Sequence, residues 1–369
     1  MKQLRILQVC SADSAGGGER HVSDLTLALI ERGHQLHLAV RSKSPLREMC
    51  AGYDIHWHEL PLRNAADFPS ARRLAQLAIA NGITTMHGHV ARDYPVCGLA
   101  ARMTRAKLFL TRHHYRPFAR SLLYQWAISP VQNLIAVSAS VAKDLAASFP
   151  SLAGRIVVIP NWIDASKVAT IPREESRRLL GLRRPLAVGI IGQLSSIKRQ
   201  DLFLRAAARV KAAGGNDVDF LVVGEATVNN RQYREHLEQL VAELDLASQV
   251  HFAGNVRGFA NYLHGLDVVV APSVNEGFSL VVIESMAAGL PVIASRAGGP
   301  AEILKDRVTG VLVPTDDLDA LVRAMIEMVR NPEFRRRLGE AAAIDARQRF
   351  DREHIVSRIE ALYLGESPI

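Results

Sequence analysis

Two glutamates, Glu276 and Glu284, stand in a segment whose residue types suit anion and hydroxyl binding: Pro-Ser-Val-Asn-Glu-Gly-Phe-Ser-Leu-Val-Val-Ile-Glu-Ser-Met-Ala-Ala-Gly-Leu-Pro from Pro272 to Pro291. The apolar run 267–271 before it reads as a buried strand that breaks at Pro272-Ser273. After Glu276-Gly277 the pattern turns helical, until Gly289-Leu290-Pro291 stops it. Glu276 is thereby expected just before a helix N-terminus and Glu284 about two turns inside. The free N–H groups of the first turn, near Gly277, Phe278, Ser279 and Leu280, offer an anion site suited to phosphate. A phosphate flanked by carboxylates that accept hydroxyl protons is chemistry fit for a nucleotide sugar. Taken alone, such a pair is more often a helix-start acid and a solvated helix residue.

Two series of strands are expected to position these groups. The first half alternates apolar runs at 4–10, 35–40, 55–60, 84–87, 108–111, 134–137 and 156–159 with helical patterns starting near Glu19, Pro69, Tyr94, Phe118 and Ala139. The second, after the Arg/Glu-rich stretch 172–185, has runs at 186–191, 220–223, 250–253, 268–271, 292–294 and 310–313. Alternation of this kind predicts an α/β fold: two tandem doubly wound, Rossmann-like domains with parallel sheets covered on both faces. Ligands of such sheets bind beyond the carboxyl ends of the strands, which points to a cleft between the domains.

A chain of 369 residues suits two domains. No stretch of eighteen apolar residues occurs, which excludes a spanning helix, and the first ten residues read as a strand instead of a signal peptide. Cys10, Cys50 and Cys97 are odd in number and far apart, as in a reducing cytoplasm, and form no metal motif. The net charge of +8 is one-sided: residues 1–165 hold 19 Lys and Arg against 11 Asp and Glu, while the remainder balances. No carboxylate occurs between Asp93 and Asp144, a stretch that holds Arg102, Arg105, Lys107, Arg112, Arg116, Arg120 and Lys143. That asymmetry implies an anionic partner, such as a lipid surface or an acidic glycan. Nucleic acid is not expected, because no binding motif accompanies the charge.

Several loops follow predicted strands. Gly16-Gly17-Gly18-Glu19 opens a helix with backbone free to approach a ligand, but lacks the Gly-x-Gly-x-x-Gly spacing. His87, His89, His113 and His114 lie near strand ends, yet no spacing puts three on one face, and no metal site is expected. Gly192-Gln193 and Lys198-Arg199 follow the first strand of the second half. Val222-Val223-Gly224-Glu225 and Gly254-Asn255-Val256-Arg257 end the next two.

Together these segments resemble the retaining family 4 glycosyltransferases of the GT-B fold. Glu276 and Glu284, with seven residues between, resemble the family's paired glutamates, and Gly298-Gly299-Pro300-Ala301-Glu302 and Thr309–Pro314 its downstream pattern. Gly16–Glu19 is similar to its Gly-Gly-x-Glu loop and Thr111-Arg112-His113 to its Thr-x-His. Pro160-Asn161-Trp162-Ile163-Asp164 is similar to its Pro-Asn-Gly-x-Asp, with Trp162 for a glycine. The family's Gly-Arg followed by Lys-Gly appears with Gln193 for the arginine and Arg199 for the glycine. A neutral amide cannot supply a guanidinium fork to a diphosphate.

The resemblance implies an acceptor-side domain at 1–165, a linker at 166–185, a nucleotide-sugar domain at 186–350, and a C-terminal helix in 351–369 packing back on the first. It implies a retaining, metal-independent hexosyltransferase without cofactor. Such an enzyme moves a hexose from a nucleotide diphosphate sugar to a glycan or lipid-linked acceptor of cell-envelope or polysaccharide synthesis, in the cytoplasm and peripherally on the membrane. Carried over position by position, Glu276 holds sugar hydroxyls, His113 lies against the donor sugar, with His114 the alternative, and Lys198 neutralises the diphosphate beside Gln193 and Arg199. Glu225, Asn255, Val256 and Arg257 hold the nucleoside, Gly277 to Leu280 the phosphate, and Glu284 the ribose. Gly17 lies next to the donor phosphate. The acceptor side comprises Gly16, Gly17, Gly18 and Glu19, with the charge placing Arg116 and Arg120 there as well. The alternatives are a non-catalytic nucleotide-sugar-binding or assembly protein and a nucleotide-sugar epimerase on the same scaffold.

Overall fold

The computed structural model describes residues 3–14, 16–114, 122–227 and 230–366. Its first sheet contains β1 (Arg5–Cys10), β2 (Gln35–Val40), β3 (His56–Glu59), β4 (Thr85–Gly88), β5 (Lys107–Arg112), β6 (Val131–Ala136) and β7 (Ile156–Val158). All neighbours are parallel, in the order β3-β2-β1-β4-β5-β6-β7. Five consecutive residues of β1 are buried, the near-continuous apolar signature of a strand covered on both faces. The chain direction across the sheet reverses between β1 and β4, so the loops after these two strands share a topological switch point.

The second sheet contains β8 (Leu186–Ile191), β9 (Val218–Val223), β10 (Val250–Gly254), β11 (Val268–Ala271), β12 (Val292–Ser295) and β13 (Val311–Val313). Its order, β10-β9-β8-β11-β12-β13, repeats the same reversal between β8 and β11. Successive strand residues feed opposite cores. Val188, Phe220, Val268 and Val270 pack with Phe203 and Met325, while Ala187, Leu221, Val269 and Ala271 pack with Ile283 and Met286. This period-two alternation is what holds the sheet between two layers of helices.

The chain divides into two compact units, Met1–Asn161 with Glu353–Ile369, and Trp162–Arg352. The stretch 166–185, expected as a linker, contains the helix Arg173–Leu179 and belongs to the second unit. Leu180 and Leu182 enter that unit's core, and Arg173 binds the Asp267 carboxylate at 2.9 Å. Its charged residues masked this role, because they cover one side of a short helix whose apolar side is only a few residues long.

The helix Arg352–Leu364 runs mostly in the first unit, where ion pairs fasten it. Arg32 reaches Glu353 at 2.8 Å and Glu360 at 2.6 Å, and His34 meets the other oxygen of Glu360 at 2.8 Å. Burial pushes the Glu360 carboxyl up, but hydrogen bonds from Arg32 and His34 outweigh it and hold the group below its ordinary value. Deeper in the unit, Tyr363 shares a 2.5 Å hydrogen bond with His87 Nδ1. Among the described residues no helix is long and apolar enough to cross a membrane.

Candidate active site

In the second unit the switch point brings together two loops that sequence places far apart. Lys198 follows β8 and Glu276 follows β11, and Lys198 Nζ donates to Glu276 Oε1 at 2.6 Å. Both side chains are half-buried, so the pair is screened less than a surface ion pair. The second carboxylate oxygen, Glu276 Oε2, is buried without a hydrogen-bond partner. An acceptor left so is costly unless a ligand supplies the donor, and a sugar hydroxyl is such a donor.

The helix after this loop is Leu280–Ala287, with Ser279 as N-cap and no side-chain cap bond. Its first intrahelical bond runs from Ile283 N–H to Ser279 C=O, which leaves the amides of Leu280, Val281 and Val282 as the helix tip. The helix itself thus begins at Leu280, the last of the expected group Gly277 to Leu280. Glu284 lies in the second turn rather than two turns inside, and it is buried. The helix starts late because Gly277, Phe278 and Ser279 are used to seat the loop: Phe278 packs edge-on against Phe350, and Ser279 is buried.

The Gly298-Gly299 pair fixes the Glu276 loop. Gly299 N–H donates to Glu276 C=O at 2.9 Å. Gly298 takes φ +56, and a Cβ there would stand 2.3 Å from the Glu276 carbonyl oxygen.

Arg199 also takes a left-handed backbone, φ 57, at the N-cap of the helix Gln200–Ala212. That geometry explains why a glycine suits the position. Its guanidinium is engaged by Asp201 at 3.1 Å and by Asp316, so its charge is already committed to two carboxylates. Gln193 is exposed. A residue the sequence reading passed over, Gln200, is fully buried and ties the loop: its Nε2 donates to Gln193 C=O at 3.1 Å, and its Oε1 accepts from Ser195 N–H at 3.4 Å. A glutamine at a helix start carries no signal for that role.

The nucleoside candidates line the neighbouring strand ends. Gly224 N–H donates to Gly254 C=O at 2.7 Å, and a Cβ on Gly224 would meet the Gly192 carbonyl at 2.1 Å, so the loops after β8, β9 and β10 are backbone-packed. Glu225, Asn255 and Arg257 are exposed, while Val256 packs partly against the core.

In the first unit the glycine loop opens the helix Gly17–Glu31, with Gly16 as N-cap. The Glu19 carboxylate accepts from the backbone N–H of Glu19 and of Gly16, a reach-back bond of the capping-box type that orders the glycines. Burial raises its carboxyl above the usual value against those bonds. Upstream, Ser11 N–H donates to Asp93 at 2.9 Å, and Arg92 donates to the Ser11 hydroxyl at 2.7 Å.

His113, at the end of β5, lies against Gly18, 3.7 Å from where a Cβ would be, and its Nδ1 is buried without a partner. His114 is exposed. Two of the four histidines noted in the sequence, His89 and His113, meet a third that the sequence reading passed over: His21, His89 and His113 offer one ring nitrogen each within 4.8 Å of one another. Residue spacing cannot reveal it, because the three come from a helix and two strand ends. Gln8, the one polar side chain among the five buried residues 6–10 of β1, apart from the thiol, was the available hint. It binds His89 Nε2 at 2.5 Å. Arg116 and Arg120 lie outside the described residues.

The fold resembles that of solved structures. These include a glycosyltransferase from Rickettsia africae, with a TM-score of 0.89, 20% identity and 99% of both chains covered, and HepE of Anabaena in complex with UDP, with a TM-score of 0.87, 21% identity, and 98% of this chain and 100% of that one covered. Residues 15–167 match the family model described as Glycosyltransferase Family 4, and residues 172–345 match the one described as Glycosyl transferases group 1. The chain belongs to the family 4 glycosyltransferases of the GT-B fold. Among relatives of this glycosyltransferase, a D-inositol 3-phosphate glycosyltransferase from Geodermatophilus obscurus is 28% identical, over 95% of this chain and 85% of that protein. An N-acetyl-alpha-D-glucosaminyl L-malate synthase from Bacillus anthracis is 25% identical, over 95% and 94%.

For this glycosyltransferase, Gly298→Ala is expected to cost about 1–3 kcal/mol of stability, because a left-handed residue gains a Cβ and that atom meets backbone. Turnover is expected to fall with it, since the Glu276 carbonyl must move. Thermal melting and steady-state rates check this; a variant with unchanged melting and rate would show that the loop does not depend on this contact.

Proposed function

We propose that this glycosyltransferase moves a hexose, with retention and without a divalent metal, from a nucleotide diphosphate sugar to an acceptor that carries negative charge. The observation that carries the donor half is the Lys198–Glu276 pair beside an uncapped helix tip, with Glu276 Oε2 open to a hydroxyl. In the bound state Lys198 and the amides of Leu280, Val281 and Val282 take the charge of the departing diphosphate. Glu276 then exchanges Lys198 for sugar hydroxyls, and Glu284 takes the ribose. Lys198 supplies the neutralisation that a bridging cation provides elsewhere, which is the basis of the metal-independent reading. His113, whose buried Nδ1 has no hydrogen-bond partner, is assigned to the sugar, and the loop from Gly16 to Glu19 to the acceptor side.

UDP is the first donor to test, because HepE was solved with it. The charge excess of residues 1–165 favours an anionic acceptor. The two relatives are named for small acidic acceptors, inositol 3-phosphate and L-malate, which supports the same charge preference. Incubation with a panel of nucleotide sugars, with nucleotide release followed by mass spectrometry, tests the reading. Acceptor-dependent release from one donor is expected. Binding without release would favour an assembly role, and a changed sugar still on its nucleotide an epimerase.

A lipid-linked acceptor is favoured by one further observation. The helix Leu122–Ile128 exposes Leu122, Leu123 and Trp126 at 83%, 65% and 51%, and Arg102 stacks on Trp126 at 4.3 Å. Apolar side chains beside cations suit an anionic membrane face, where each Lys or Arg contributes about 1 kcal/mol. Sedimentation with anionic vesicles is expected and should vanish in high salt. Arg116→Glu with Arg120→Glu is expected to reduce it. Equal recovery with neutral and anionic vesicles would leave an acceptor that is not membrane-borne.

A further inference from the structure

We propose that His21, His89 and His113 form a binding site for one divalent transition-metal ion of the zinc class, separate from any requirement of glycosyl transfer. The three imidazoles come from the helix Gly17–Glu31 and from the ends of β4 and β5, and each offers a nitrogen within 4.8 Å of the others. His89 Nδ1 and His113 Nε2 stand 3.4 Å apart. Two nitrogens bound to zinc at about 2.0–2.1 Å in a tetrahedron are separated by about 3.3–3.4 Å, so this pair already has the spacing of a coordination edge.

The surroundings fit a ligand set. Gln8 Oε1 accepts from His89 Nε2 at 2.5 Å, which places the proton there and leaves His89 Nδ1 bare, as an outer-shell acceptor does for a metal-bound histidine. His87, the fourth ring of the cluster, is committed to Tyr363 and to Thr111, at 2.5 and 2.7 Å, and supports the layer below. Of the three ligands, His113 is the one that is partly exposed. If the proposed sugar role of His113 holds, a bound ion competes with donor sugar; that consequence alone rests on the functional reading.

The test uses the untagged, chelator-stripped full chain and Co2+ as a coloured probe, with no nucleotide present. One equivalent of Co2+ is expected to produce saturable visible bands of a low-coordinate nitrogen site, which Zn2+ bleaches. His21→Asn and His89→Asn, checked for folding by thermal melting, are expected to lose at least tenfold in affinity. Gln8→Leu leaves all three ligands in place and is expected to weaken binding by about 10–100-fold, so it decides the question if a histidine variant fails to fold. Absence of saturable bands in the wild type, or folded variants that bind as tightly as the wild type, would overturn the proposal. Neither result bears on nucleotide release, so the failure of this site and the failure of the proposed function are distinguishable.

Discussion

Lys198→Ala is expected to reduce turnover by about 100- to 1000-fold and donor affinity by at least about tenfold. The first figure is that of losing one preorganised charge donor at a developing oxyanion, and the second corresponds to about 1.4 kcal/mol. The loop offers no substitute cation. Gln193 is neutral where an arginine is usual in the family, and the Arg199 guanidinium is held by Asp201 and Asp316. Removing Lys198 also leaves the half-buried Glu276 carboxylate without its cation, which adds a cost to the free protein. Gln193→Arg should act in the opposite sense and tighten donor binding several-fold, the scale of one exposed charge-assisted contact. Calorimetry with the nucleotide diphosphate separates these outcomes. Wild-type affinity in Lys198→Ala would place the phosphate somewhere else.

Glu276→Gln is expected to lower kcat by about 100-fold or more while nucleotide affinity stays within a few-fold of wild type. The amide keeps the shape and the acceptor oxygen but replaces a charged acceptor, on which hydrogen bonds are roughly twice as strong, with a neutral one. Glu284→Ala is expected to show the reverse pattern: weaker nucleotide binding, because a buried carboxylate assigned to ribose is lost. Comparing kcat and nucleotide Kd for the two variants checks both assignments at once. Should Glu284→Ala bind nucleotide like the wild type, its ribose role is wrong, and the residue serves the packing of its helix.

The sequence by itself determined where the strands run and how they are covered. Two-sided burial demands unbroken apolar runs, and 186–191 and 268–271 coincide with β8 and β11 residue for residue. It also named the carboxylates, because Gly, Pro and the change of period mark the turn between Ala271 and Leu280. It did not determine where that helix begins, since the seating of Phe278 and Ser279 is a contact with distant side chains. Nor could it show that Lys198 meets Glu276 across 78 positions, or that Arg199 spends its charge on Asp316. The histidines mark the limit most clearly. His21, His89 and His113 share no period or spacing, and only the parallel register of β1, β4 and β5, together with the helix laid over their ends, brings the three rings together. Periodicity reports what each residue does against its own sheet; which loops meet at a switch point is set by the order in which strands are added, and no local pattern encodes that order.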